Sequence, residues 1–188
     1  MVLPLYPLRC LSKLIIFLKK TNLFQMKIAV LSDTHLKSAQ ALPKKALKIL
    51  DSVDAVIHAG DYQDISVVEH LIELKDFYGV CGNMDSGQIR ARLPEKRIIE
   101  LNGFKIGITH GWGAPGGIES RIRSYFPENN LHAIVFGHSH TPCNRVINNI
   151  LFFNPGSPTD KRYAEYCSMG ILTLDKTLYG EIIRLDEL

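Results

Sequence analysis

Three short apolar runs in the first half of the chain each end on polar residues, with helical patterns between them. They are KIAVLSD from Lys27, DAVIHAGD from Asp54 and DFYGVCGN from Asp76. The first two runs fit strands buried on both faces, as in a parallel sheet, and the third reads as a further strand. Between the first two, Leu42, Ala46, Ile49, Leu50 and Val53 recur at i, i+4, i+7, i+8 and i+11. That is the stripe of an amphipathic helix, with Pro43 near its start. ISVVEHLIELK, from Ile65, reads as a second helix. The order strand, helix, strand, helix, strand implies parallel strands joined by right-handed crossovers.

The second half changes character. RIIELNGFKIGITHG holds two strands around Asn102-Gly103, a strong hairpin signal. A helix is expected in GIESRIRSYF and another buried strand in HAIVFGHSH, while NRVINNILFFN, GILTL and YGEIIRL read as antiparallel strands with tight turns. The expected fold is one α/β domain over residues 26–188: two facing mixed β-sheets flanked by helices. Residues 1–25 stand apart as a basic and apolar extension whose longest apolar run, LIIFL, is far short of the roughly 20 residues of a membrane span. Two readings of it stay open: a start misassigned upstream of Met26, or a targeting or interfacial segment.

Charge narrows the function classes. The chain carries a formal net charge of +3, but residues 1–26 hold four basic residues and no acidic one. The remainder has 18 basic against 19 acidic residues, a net of −1. A broad nucleic-acid binder should show a basic face, so no specific nucleic-acid partner is expected. Cys10, Cys81, Cys143 and Cys167 form no CxxC pair, which points to a reduced, cytoplasmic compartment rather than a disulfide framework.

Polar residues gather at the ends of five expected strands. Asp33 and His35 follow the first, Asp61 the second, and Asn83 and Asp85 the third. His110 ends the hairpin, and His138 and His140 follow the next long strand. Ligands of open α/β sheets bind at the carboxyl ends of strands, so the clusters should converge. Carboxylate, amide and imidazole together suit Mn, Fe, Zn, Ni or Co. The D-x-H and H-x-H spacings would place each pair on one side of an extended chain. Gly60, Gly82, Gly111 and Gly137 adjoin candidates where the backbone must turn or approach closely. Apart from Asp85, these polar residues are seven ligand candidates, which exceed the needs of one ion and suggest two metals sharing a carboxylate. His58 is expected to be a packed histidine, and His70 and His132 to lie at the surface.

In order, D-x-H, G-D, G-N-x-D, H-G and G-H-x-H resemble the calcineurin-like metallophosphoesterase superfamily. The short spacing and NPGS at residues 154–157 look like its small branch, which holds YfcE-like phosphodiesterases and the retromer subunit Vps29. The resemblance implies that Asp33, His35, Asp61 and His140 hold one divalent ion. It assigns Asp61, Asn83, His110 and His138 to a second, with Asp61 bridging. It also implies a metal-bridging hydroxide that attacks the phosphorus of a small phosphodiester or phosphomonoester. Mn²⁺ is the first choice of ion, with Ni, Zn, Fe, Co and Mg open. The departure is Met84, where larger relatives carry a histidine that protonates the leaving oxygen. Either another acid serves, Asp85, His35 or a water, or the substrates are esters with good leaving groups, with Asn83 touching the phosphate. The alternative is a metal-retaining interaction scaffold of the Vps29 kind, and self-association stays open.

Overall fold

The computed structural model describes residues 25–127, 130–162 and 164–186. Apart from Gln25, the N-terminal extension lies outside the described residues. Sheet one contains β1 (Met26–Leu31), β2 (Ala55–His58), β3 (Asp76–Gly79), β9 (Ser168–Leu174) and β10 (Leu178–Arg184), in the order β10-β9-β1-β2-β3. Sheet two contains β4 (Lys96–Leu101), β5 (Phe104–Thr109), β6 (Ala133–Val135), β7 (Cys143–Ile147) and β8 (Ile150–Asn154), in the order β4-β5-β6-β8-β7. The β1–β2, β2–β3, β5–β6 and β6–β8 pairings are parallel and the others antiparallel. Both sheets are therefore mixed, as expected.

The layers follow from side-chain alternation along each strand. Ile28 and Val30 of β1 and Ala55 and Ile57 of β2 point between the sheets, where they meet Ile106, Ile108, Val135, Leu151 and Phe153. Ala29, Leu31 and Val56 point the other way, onto α1 (Lys44–Ser52), α2 (Ile65–Leu74) and α3 (Gly87–Arg92). On the far side, Ile134 and Phe152 pack with Ile118 and Ile122 of α4 (Ile118–Tyr125). Both faces of the central strands are buried, which is why their sequences run unbroken. The stripe foreseen for α1 buries Leu42, Ala46, Leu50 and Val53, and Pro43 sits at its N-cap. Helix α3 had no counterpart in the sequence reading. It has six residues, begins with Gly87 and buries only Ile89, too little for a periodic signal.

Phe153 shows how tightly the sheets meet. It is fully buried, and a Cβ on either Gly170 of β9 or Gly180 of β10 would overlap its ring. The ring thus occupies space that those two glycines leave open. Phe153→Ala should cost about 3–5 kcal/mol through lost burial and a residual cavity. Urea unfolding of the two proteins checks this; a loss below about 1 kcal/mol would mean that the sheets close over the gap.

Candidate metal centre

The polar residues after β1, β2, β3, β5 and β6 come together at one end of the two sheets. The closest approaches run between elements far apart in sequence. Asp33 Oδ1 lies 3.4 Å from His140 Nε2 and 3.9 Å from His110 Nε2. Asp61 Oδ2 lies 3.3 Å from His110 Nε2 and 3.8 Å from His35 Nε2. Asn83 Oδ1 is 3.0 Å from both His110 Nε2 and His138 Nδ1. His35 and His140 bring their Nε2 atoms within 3.4 Å. Two groups are close enough to share an ion: Asp33, His35 and His140, and Asp33, Asp61 and His110.

Backbone carbonyls fix which ring nitrogens face inward. A carbonyl can only accept, so the nitrogen that meets one carries the proton. His110 Nδ1 donates to the Ala59 carbonyl at 2.8 Å, and His138 Nε2 donates to that of Gly113 at 2.9 Å. His140 Nδ1 donates to the Asp160 carbonyl. Each ring therefore turns its other nitrogen, a lone pair when the ring is neutral, toward carboxylate, amide or imidazole groups. Such an arrangement repels unless positive charge sits between the groups, as protons or as metal ions. Outer hydrogen bonds that hold an imidazole in one tautomer are the usual support of a metal ligand.

The carboxylates show the same division of labour. Asp33 Oδ2 accepts from Ser32 Oγ at 2.7 Å and from the His138 N–H at 2.9 Å. Its Oδ1 is buried without a hydrogen-bond partner among the described residues. A buried charged oxygen left bare is costly, and a cation would relieve that cost. Asp61 Oδ1 accepts from the Met84 N–H at 2.8 Å, leaving Oδ2 turned inward. Burial opposes ionisation of Asp61. The hydrogen bond and charge of His110, the Met84 N–H and His35 outweigh it and bring the carboxyl down to about 2. Burial likewise opposes charge on His110, yet Asp61 and Asp33 push it upward.

Backbone strain marks the same residues. Asp33, His35, Asp61, His138 and His140 have φ between 46° and 68°. The left-handed region costs a non-glycine residue on the order of 1 kcal/mol or more, and such outliers cluster at functional sites. This corrects the extended-chain reading of D-x-H and H-x-H. The chain turns at each of these residues, so His138 reaches toward Asn83 while His140 reaches toward Asp33 and His35. Close approach sets the glycines: a Cβ on Gly82 would overlap Asp61, and one on Gly137 would overlap Ser32 and Asp33.

Asp85 is bound by backbone amides. Its Oδ2 accepts from the Gly82 N–H at 2.7 Å and the Asp61 N–H at 3.1 Å, and its Oδ1 from the Tyr62 N–H at 2.6 Å. The carboxylate ties the loop after β3 to the loop after β2. Burial lowers the pKa of His35 against the pull of Asp61 and Asp33. His58 is the packed histidine foreseen. Its Nδ1 accepts from the Gly60 N–H at 3.1 Å, so Nε2 carries the proton and donates to Thr34 Oγ1 at 3.1 Å, and the ring stacks on Tyr62. Asn154 supports the GHSH turn, donating to the Gly137 carbonyl at 2.9 Å and Ser139 Oγ at 3.1 Å. Arg121 spends its guanidinium on the carbonyls of Trp112, Ala114 and Gly116.

A pocket of about 300 Å³ opens beside Asn83 and His110, with Arg90, Trp112 and Tyr125 in its walls. The sequence reading passed over Trp112 and Tyr125. Neither belongs to a polar cluster, and Tyr125 reads as an ordinary residue of a helix.

This geometry has close parallels. Residues 26–177 match the calcineurin-like phosphoesterase superfamily domain, and the chain belongs to that superfamily. A probable metallophosphoesterase of Methanocaldococcus jannaschii is 37% identical over 164 residues, covering 86% of this chain and 83% of its own. A phosphodiesterase of the same organism is 28% identical over 181 residues, covering 84% and 99%. Vacuolar protein sorting 29 of Cryptosporidium parvum shares the fold, with a TM-score of 0.67 at 22% identity over 87% of this chain and 100% of its own. The superfamily uses divalent metals, and the bare Asp33 oxygen and the inward lone pairs fit them. Among the described residues no helix is long and apolar enough to cross a membrane.

The buried His58 predicts a pH effect. Burial, with His110 adding to it, holds His58 well below the usual imidazole range against the pull of Asp61. The unfolded chain takes up a proton near pH 6.5 that the folded ring refuses. Its contribution is therefore complete above that pH and is lost on acidification, by up to about 1.4 kcal/mol per pH unit. His58→Asn, which retains an acceptor for the Gly60 N–H, should lose less stability than the parent on acidification below about pH 6. Equal pH slopes in denaturant unfolding would contradict this.

Proposed function

We propose that the chain is a divalent-metal-dependent phosphoesterase that hydrolyses small phosphodiesters with water as the nucleophile. The observation that carries this reading is the convergence of three tautomer-fixed imidazoles on the bare Asp33 Oδ1, Asp61 Oδ2 and Asn83 Oδ1. Asp33, His35, Asp61 and His140 would hold one ion, and Asp61, Asn83, His110 and His138 a second, with Asp61 shared. A pair of ions there, Mn²⁺ first among the candidates, would acidify water toward neutral pH and offset charge on the phosphoryl oxygens.

The protein's own groups do the rest. Carbonyls of Ala59, Gly113 and Asp160 keep three rings in the ligating tautomer. Asn83 turns its oxygen toward the rings, which frees its NH₂ to meet a phosphate oxygen. Met84, 63% exposed beside it, offers no proton. With Asp85 committed to backbone amides, departure of the alcohol would depend on the alcohol's own acidity. Esters with good leaving groups are therefore the expected substrates. Cys81, Cys143 and Cys167 are free, which suits a reducing cytoplasm.

Bis(p-nitrophenyl) phosphate with Mn²⁺ tests the enzyme reading. Asp61→Ala should reduce hydrolysis by more than about 100-fold, because even outer-shell changes cost 10–100-fold. Activity that survives in the variant would belong to a contaminant and overturn the claim. Bound metal without hydrolysis would point instead to an interaction scaffold. Met84→His should speed cleavage of an alkyl ester toward the 10²-fold scale of a general acid. No gain would mean that another group already supplies the proton.

A further inference from the structure

Trp112 is the sole tryptophan of the chain, and 42% of it is exposed at the rim of the pocket beside Asn83 and His110. Large apolar side chains left open next to a polar site commonly mark a binding surface. This one is held firmly. Arg121 donates from Nε to the Trp112 carbonyl at 3.1 Å and from Nη1 to that of Gly116 at 2.9 Å, and from Nη2 to that of Ala114. One guanidinium thus braces the loop that carries the indole.

Tyr125, at the end of α4, stands against it. The two rings meet edge to face, with centroids 5.1 Å apart and planes at 79°. Lys96 fixes Tyr125, with Nζ 4.5 Å from the ring centroid and 3.0 Å from the Tyr125 carbonyl. Across the pocket Arg90 donates to the carbonyls of Asp85 and Asn83, which ties that wall to the candidate metal loop. Glu95 lies on the same lining. A volume of about 300 Å³ is at the small end of the range for ligand sites. It has room for one planar ring system rather than a long oligomer. Arg90 and Glu95 offer a donor and an acceptor that a plain hydrocarbon ring could not use.

We propose that Trp112 is the stacking wall for the nucleobase of a nucleotide ester whose phosphate lies at Asn83 and His110, with Tyr125 bracing the indole edge to face. The phosphate's position rests on the phosphoesterase reading; the stacking wall rests on the pocket alone. Trp112 is then a specificity-determining residue, and ribose phosphates without a base should bind poorly.

The test uses binding, followed by the fluorescence of Trp112 in the Mn²⁺-loaded protein. AMP should quench it saturably and bind at least about 10-fold more tightly than ribose 5-phosphate, the scale of one base–aromatic stack. By calorimetry, Trp112→Leu should bring AMP down to the affinity of ribose 5-phosphate, and Trp112→Phe should recover part of the difference. Equal affinities for the two ligands, or unchanged AMP binding in Trp112→Leu, would overturn the proposal. Phenyl phosphate binding as tightly as AMP would overturn the nucleobase assignment. Hydrolysis is measured separately, so an inactive protein that still prefers AMP would sink the phosphoesterase reading and support the subsite.

Discussion

Ring nitrogens of three histidines, two carboxylates and the amide oxygen of Asn83 point at one another where the two sheets meet. Left to themselves these groups would repel, and the protein does much to keep them together. It holds five residues of the site in left-handed backbone, buries Asp33 Oδ1 without a hydrogen-bond partner among the described residues and meets the rings with backbone carbonyls. Each feature carries a cost when taken alone. A positive charge at the centre relieves them together, which is why the cluster is best understood through what it is shaped to hold.

The fold supplies the positions. Parallel pairings in both sheets bring the ends of β1, β2, β3, β5 and β6 to the same side, and β8 adds Asn154 and the turn after it. Hydrogen bonds then sew the sheets together across the site. The His138 N–H reaches Asp33 Oδ2 and Ser157 Oγ reaches the Asp33 carbonyl, while within sheet two the Gly137 N–H reaches the His110 carbonyl. Asp85 performs the same service within sheet one, joining the loops after β2 and β3. The site is therefore as rigid as the interface between the sheets, and the bulky residues between them, Phe153 among them, support its geometry from below.

Much of this was legible in the chain. Unbroken apolar runs named the buried strands, because strands covered on both faces need no polar alternation. Polar clusters after each run marked the convergence point, because parallel strands end on one side. The conformation of Asp33, His35, His138 and His140 was not legible: spacing of two suggests an extended chain, whereas a left-handed turn depends on tertiary contacts such as the Asp33 N–H to Gly60 carbonyl bond. The role of Asp85 was hidden for a related reason. Two of the backbone partners of its carboxylate, the Asp61 and Tyr62 amides, lie more than twenty residues earlier. Trp112 and Tyr125 escaped because two aromatic residues separated by a loop and a helix carry no local pattern.

The central claim is that these seven side chains gather around metal. Anomalous diffraction from crystals grown with Mn²⁺ tests it most directly. The account predicts two anomalous peaks inside the cluster, with Asp61 in contact with both. A single peak would contradict the shared-carboxylate arrangement. No peak at a saturating metal concentration would contradict the account as a whole.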